Sequence, residues 1–270
     1  MIPFETLSMS VNSHVACLAL NRPKSANSIN ETMWQELRQA FEQLDQMSDV
    51  RVVVLTGAGR HFSTGIDLTY LAGLQGELSR QPEGIRQESL LRLITDLQEA
   101  VNMVEKCRKP VLAAIQGYCM GAGLDLAAAC DMRYATAATR FSVKEVDLAI
   151  VADLGVLQRL PGIVGEGIAR ELVFTGRTFK GEEAQSSGLV NRLFENTETL
   201  QSGVMALAQE LAEKSSLTLR GVKETLNYSR DHSVADGLQF VALRNAAMLL
   251  SKDLAEAAAA MIEKRSPRFS

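Results

Sequence analysis

The sequence offers little for metal or nucleophile chemistry. Its 270 residues include only three histidines, His14, His61 and His232, far apart and without a metal-like companion. The four cysteines, Cys17, Cys107, Cys119 and Cys130, form no CxxC pair or other ligand spacing. They sit in apolar runs and read as buried thiols of a reducing compartment. No G-x-S-x-G elbow is present, so a hydrolase serine is not signalled, and no G-x-x-x-x-G-K-S/T loop signals ATP chemistry. Positive charge is not in excess. The formal net charge of −4 argues against nucleic acid as a main partner, while leaving room for a local basic contact to a small phosphorylated ligand. No apolar run reaches the length of a membrane span. The N-terminal MIPFETLSMS lacks the pattern of a signal or transit peptide, and the C-terminal SPRFS is not a peroxisomal address. A cytoplasmic protein is expected.

What is present is an ordinary globular balance, 46% hydrophobic and 22% charged, enough to fill a sizeable core. There is no low-complexity tract and no obvious repeat. Alternation over Val15–Leu20 and a continuous β-branched run over Val52–Leu55 predict strands. Between them Asn30 is placed to cap a helix whose stripe is Met33, Leu37, Phe41 and Leu44. Residues 70–86, polar and carrying Gly73, Gly76 and Pro82, are expected to form a mobile loop. A helix over Glu88–Val104 follows, then a buried strand Val111–Ile115, a glycine-rich turn, a helix at 121–129, and strands at Met132–Tyr134 and Phe141–Val143. From Leu154 onward helices are expected, interrupted only by a short strand near Leu189–Leu193. The last four are Glu195–Lys214, Leu217–Tyr228, Val234–Leu250 and Asp253–Lys264. The pattern predicts an α/β core over residues 1–195 with a helical region over 196–270.

Glycine-rich backbone and carboxylates remain as the chemistry. Gly117-Tyr-Cys-Met-Gly-Ala-Gly123 joins a buried strand to a helix, whose first N–H groups are unpaired and carry partial positive charge. Such a turn can bind an anion or an oxyanion that develops during reaction. The turn His61–Leu68 can offer a second N–H, and each donor in an oxyanion hole is worth about 2.7–4 kcal/mol in favourable cases. Glycine turns of this kind are also common scaffolding. A dinucleotide-binding reading fails because Leu126 stands where the third glycine belongs and the turn lies mid-chain.

Five segments, LNRPKSANSIN at 20–30, HFSTGIDL at 61–68, KPVLAAIQGYCMGAGLDLAAACDMRYAT at 109–136, LGVLQRLPGIVG at 154–165 and TGRTFKGEEAQSSGLVNRLF at 175–194, resemble the crotonase, or enoyl-CoA hydratase/isomerase, family in order and spacing. The resemblance covers nearly the whole chain. It implies a crotonase-like spiral of ββα turns, a C-terminal helical trimerisation region, assembly as a homotrimer or dimer of trimers, and an acyl-CoA thioester as substrate with no further cofactor and no metal. It also implies an oxyanion hole at the N–H groups of Ile66 and Ala122. Gly65, Leu68 and Gly123 would line the thioester and pantetheine, and Lys24, Ser25 and Ala26 would meet the adenine end, Lys24 as a phosphate contact or simply a solvated lysine.

Within the family, hydratases place one glutamate at the position of Asp125 and another at Glu145, with glycine at the position of Asp153. Here Asp125 and Asp153 depart from that pattern. FSVKEVDLAIVADLGVLQRLP at 141–161 and YSRDHSV at 228–234 resemble the Δ3,5-Δ2,4-dienoyl-CoA isomerases. That reaction moves a proton from C2 and delivers one at C6, a span that calls for two acids. Glu145 would act near C2 and Asp153 near C6, with Asp125 in support. Bland roles stand beside these: Asp125 as a helix-dipole partner, Glu145 in an ion pair with Lys144, Asp153 as an N-cap. Asp67 and Asp147 are set aside. A 2-enoyl-CoA hydratase, a Δ3,Δ2-enoyl-CoA isomerase and a non-catalytic crotonase-like binding protein stay open as alternatives.

Overall fold

The strand Val52–Gly57 is buried along its whole length because both faces of its sheet are covered. In the computed structural model, which describes residues 3–269, it lies third in a six-stranded sheet. The order is Leu7–Asn12, Val15–Leu20, Val52–Gly57, Val111–Ile115, Met132–Thr136 and Arg192–Phe194. Met1, Ile2 and Ser270, which belong to the terminal segments read above for targeting signals, lie outside the described residues. The first pair is antiparallel and every later pair parallel. Parallel neighbours require a crossover, and the helices Glu31–Gln46, Glu83–Lys106 and Ala122–Ala129 lie in those connections.

Alternate side chains of the central strand serve two cores. Val53 and Leu55 join a cluster with Met33, Leu37 and Phe41 of the helix that Asn30 caps, its Oδ1 accepting the Met33 N–H at 3.0 Å. Val52 and Val54 point to the other face, where Leu200, Val204 and Ala208 of the helix Thr197–Ala212 cover them. A second sheet holds the short strands Tyr118–Met120, Arg140–Ser142 and Phe179–Lys180. The first two each come directly after a strand of the first sheet and before a helix, which is the expected spiral of ββα turns, while Phe179–Lys180 joins them only after the helix Glu166–Thr175. The helices Ser216–Ser229, Val234–Met248 and Lys252–Glu263 complete the C-terminal region.

Some expectations need correction. Residues 70–86 are largely helical, in Leu68–Leu78 and the first turn of Glu83–Lys106. Asp67 starts the former by accepting the Thr69 N–H at 3.0 Å, and Tyr70 packs on the core. The penalty for glycine within a helix, about 1 kcal/mol each at Gly73 and Gly76, is outweighed by that anchoring. Phe179–Lys180 is an unforeseen strand, pairing with Arg140–Phe141 and stacking Phe179 on Phe141 at 5.6 Å. The strand expected near Leu189–Leu193 lies at Arg192–Phe194, Leu189 and Val190 being buried in the turn before it. Cys17 is only partly buried, unlike the other three cysteines.

Candidate active site

Three segments far apart in sequence are laced together by main-chain bonds. Ser63 donates to Tyr118 O at 2.9 Å and accepts from the Met120 N–H at 3.0 Å. On the other edge Thr64 donates to Ala26 O at 3.2 Å, Ile29 to Gly65 O at 2.8 Å, and Asp67 to Ile29 O at 2.9 Å. Residues 63–67 are therefore held between 26–29 and 118–120. In the parallel bridge between Ile29 and Ile66, Gly65 O and the Asp67 N–H both turn to Ile29, which leaves the Ile66 N–H facing away from it. Among the described residues no hydrogen bond engages it. Ala122 opens the helix Ala122–Ala129, so its N–H is one of the donors a helix leaves unpaired.

Two glycines bring these donors and an acid into one space. Gly65 has φ +89°, and a Cβ there would lie 2.8 Å from Met120 O and 3.2 Å from the Ala122 nitrogen. Gly121 has φ +51°, and a Cβ there would lie 3.2 Å from Glu145 Oε1. Both conformations suit glycine and disfavour other residues. The resulting cavity of about 550 Å³ is lined by Ser25, Gly65, Ile66, Leu68, Ala122, Glu145 and Asp153 among others.

Glu145 begins a short 3-10 turn, Glu145–Leu148. Lys144 pairs with Asp147 at 2.6 Å and donates to Gly176 O at 3.0 Å, rather than pairing with Glu145. Glu145 Oε2 is buried with no hydrogen-bond partner among the described residues. Burial, and to a lesser degree the charge of Asp153, raises its pKa. Burial likewise raises that of Asp153. Asp153 does not cap the next helix. Gly155 holds the N-cap position, and Asp125 reaches across to accept the Val156 N–H at 2.7 Å. Asp125 thus closes the start of a helix other than its own. It is 1% exposed, and its Oδ2 has no partner among the described residues. Burial first, then the charge of Glu145, pushes its pKa up to about 8, against the opposing pull of the Val156 N–H and Arg159. Burial favours protonation of all three acids, and repulsion from neighbouring carboxylates adds to it at Asp125 and Glu145.

The Asp125 shift has a consequence for stability. Its folded pKa lies above the ordinary 3.8, so its stabilising contribution is complete below about pH 4 and is lost as pH rises through about 8. Asp125→Asn keeps an acceptor for Val156 and cannot ionise. It is expected to lessen the loss of stability between about pH 5 and pH 9 by about 2 kcal/mol or more. Denaturant titrations at several pH values check this, and parallel curves for the two proteins would refute it.

The remaining residues of the sequence reading divide. Ser25 and Leu68 line the cavity, Leu68 being 61% exposed. Lys24 is exposed in the turn Pro23–Ser25, and Ala26 gives its carbonyl to Thr64; neither lines the cavity. Gly123 lies behind it, where a Cβ would come within 2.9 Å of Ser63 Cβ, so it lets the helix approach the 63–67 segment. Sequence reasoning set aside Asp67, yet its Oδ2 meets Arg22 Nη1 at 2.8 Å and Ser28 Oγ at 3.1 Å, tying the first turn to the second. It also passed over Asn27, whose Nδ2 donates to Ala58 O at 2.9 Å and His61 O at 2.7 Å. Opposite charges at Arg22 and Asp67 were the available signal for the first; a buried asparagine in a polar run gives none.

Comparison with known proteins agrees with this geometry. The enoyl-CoA hydratase/isomerase family profile matches residues 10–270. The peroxisomal Delta(3,5)-Delta(2,4)-dienoyl-CoA isomerase of Arabidopsis thaliana is 46% identical over 98% of this chain and 96% of its own length. The mitochondrial enzyme of that name from Homo sapiens is 42% identical over 95% of this chain and 78% of its own. Among solved structures, enoyl-CoA hydratase from Bacillus anthracis superposes with a TM-score of 0.90 at 31% identity, covering 98% of this chain and 99% of that one. The peroxisomal and mitochondrial relatives overturn the expectation of a cytoplasmic protein. That expectation rested on missing address signals at the chain ends, which are a poor guide to compartment. With a profile match over nearly all its residues, and the two turns and acids of the motifs gathered at one cavity, the chain belongs to the enoyl-CoA hydratase/isomerase, or crotonase, family.

Proposed function

We propose that this enzyme converts 3,5-dienoyl-CoA to 2,4-dienoyl-CoA in fatty-acid oxidation, a reading supported by its identity to dienoyl-CoA isomerases over nearly its whole length. The observation that carries the chemistry is one cavity offering two unpaired main-chain donors beside two carboxyls of raised pKa. The acyl-CoA thioester is the substrate, and the reaction is redox-neutral and needs no cofactor. The thioester oxygen accepts the Ile66 and Ala122 N–H groups, an oxyanion hole. Glu145 removes a proton from C2, and the C–H electron pair spreads along the chain as a dienolate whose charge the two donors stabilise more than that of the ground state. Asp153, protonated, gives its proton to C6. The C3=C4 and C5=C6 bonds become C2=C3 and C4=C5, and proton exchange resets the two acids. Asp125, mostly protonated at neutral pH, keeps a third negative charge out of the cavity.

Following the conjugated 2,4-diene absorbance on adding synthetic 3,5-dienoyl-CoA tests the function. A rise at an enzymic rate is expected. No rise, with hydration of a 2-enoyl-CoA instead, would make the protein a hydratase.

The C-terminal helices leave Leu226, Leu238, Leu250, Met261 and Ile262 exposed, Leu250 at 95%. So many exposed apolar side chains on these helices favour burial against other copies, which supports a homotrimer or a dimer of trimers. Light scattering should give three or six times the 29.4 kDa chain mass; a monomer at micromolar concentration would refute this.

A further inference from the structure

Asp153 stands in the stretch 149–155, which has no helix or strand of its own. A carboxyl carried on irregular chain is placed only as firmly as that chain is fastened. Among the described residues, one side chain from elsewhere in the fold reaches the main chain of residues 151–154: Gln98 Nε2 donates to Asp153 O at 2.7 Å. Gln98 belongs to the helix Glu83–Lys106, and Asn102 and Glu105, four and seven residues on, share its face. Asn102 Oδ1 accepts from Arg159 Nη2 at 2.7 Å, and Glu105 Oε2 from Arg159 Nε at 2.7 Å. Glu105 also pairs with Arg230.

One polar stripe therefore fastens both ends of the segment from Asp153 to Arg159. It is not needed to hold the helix in place, since Ala100, Val101 and Val104 of the same helix are buried in the core. The stripe lines a second cavity of about 530 Å³, and Asp153 and Leu154 line both this cavity and the first. The boundary between the two spaces is thus the segment that Gln98 holds.

We infer, resting on the function proposed above, that Gln98 is a positioning residue for the isomerisation: its amide holds the Asp153 main chain so that the carboxyl meets the far end of the dienolate, while the C2 end depends on Glu145. The two halves of the reaction should then separate. Gln98→Met keeps the side chain's length and removes the donor. Gln98→Glu puts an acceptor where the donor is needed.

Both variants are expected to lose about 10- to 100-fold in kcat on 3,5-dienoyl-CoA, the scale of a misplacement of about 1 Å, with KM within about threefold of wild type. Exchange of the C2 hydrogens with D2O, read by NMR on the same substrate, should continue near the wild-type rate. The thermal midpoint should stay near that of wild type. Unchanged kcat in both variants would overturn the inference. So would loss of isomerisation together with C2 exchange, or a midpoint low enough to account for the lost activity. A wild-type protein inert to 3,5-dienoyl-CoA would instead remove the proposed function itself.

Discussion

Asp153→Asn is expected to lower turnover of 3,5-dienoyl-CoA by about 10³-fold or more, with the thioester still bound. In the proposed reaction the loss is large because, among the described residues, no third acid is placed to protonate C6: Glu145 is assigned to the C2 end, and Asp125 lies behind the cavity wall with its Oδ1 committed to Val156. General acid catalysis by one positioned group is worth about 10²–10⁴-fold. The amide matches the carboxyl in shape and leaves the Asp153 carbonyl free to accept from Gln98, so the local chain should hold. Absorbance kinetics measure the first effect, and titration with a saturated acyl-CoA measures the second. Full activity in the variant would take Asp153 out of the reaction.

Gly65→Ala should cost about 10²-fold or more in kcat, the scale of losing one donor of an oxyanion hole. The added carbon would stand 2.8 Å from Met120 O, closer than real Cβ atoms come, in a conformation with φ +89° that alanine rarely adopts. Relief requires the 63–67 segment and the turn before Ala122 to separate, and the two N–H groups then no longer aim at one oxygen. Gly73→Ala is the control. It lies in the helix Leu68–Leu78 with nothing within 4 Å of the added carbon, and should leave turnover unchanged while adding a few tenths of a kcal/mol or more to stability. Equal activity of the two alanine variants would show that the spacing of the turns does not matter.

Much of this architecture was legible from local pattern. The β-branched run at Val52 and the Asn30 cap announced a strand and a helix because each is decided by neighbouring residues. The segment 68–78 misled for the same reason: glycine and polar residues suggested a loop, while Asp67 and the packing of Tyr70 on distant core residues made a helix. Phe179–Lys180 was invisible because its partner is the strand Arg140–Ser142, far back in the chain. At the site, the family motifs pointed to the glycine turns and to Glu145 and Asp153. They did not indicate that Asp125 closes the helix beginning at Val156, a bond across 31 positions, or that Gln98 reaches Asp153 across 55. Long-range side-chain bonds of this kind leave no periodicity to read.

In the proposed reaction the donors that face the thioester oxygen are peptide groups, supplied by chain geometry rather than by any particular side chain. Point mutation can crowd them, as at Gly65, but only proline at the donor position itself deletes one. The acids that line the same cavity are different, being replaceable side chains at 145 and 153. A lineage carrying this scaffold can therefore alter where hydrogen is taken and returned, while inheriting intact the means of tolerating an enolate. Engineering a new outcome on this chain should leave the segments 63–67 and 118–123 untouched and vary the acids alone.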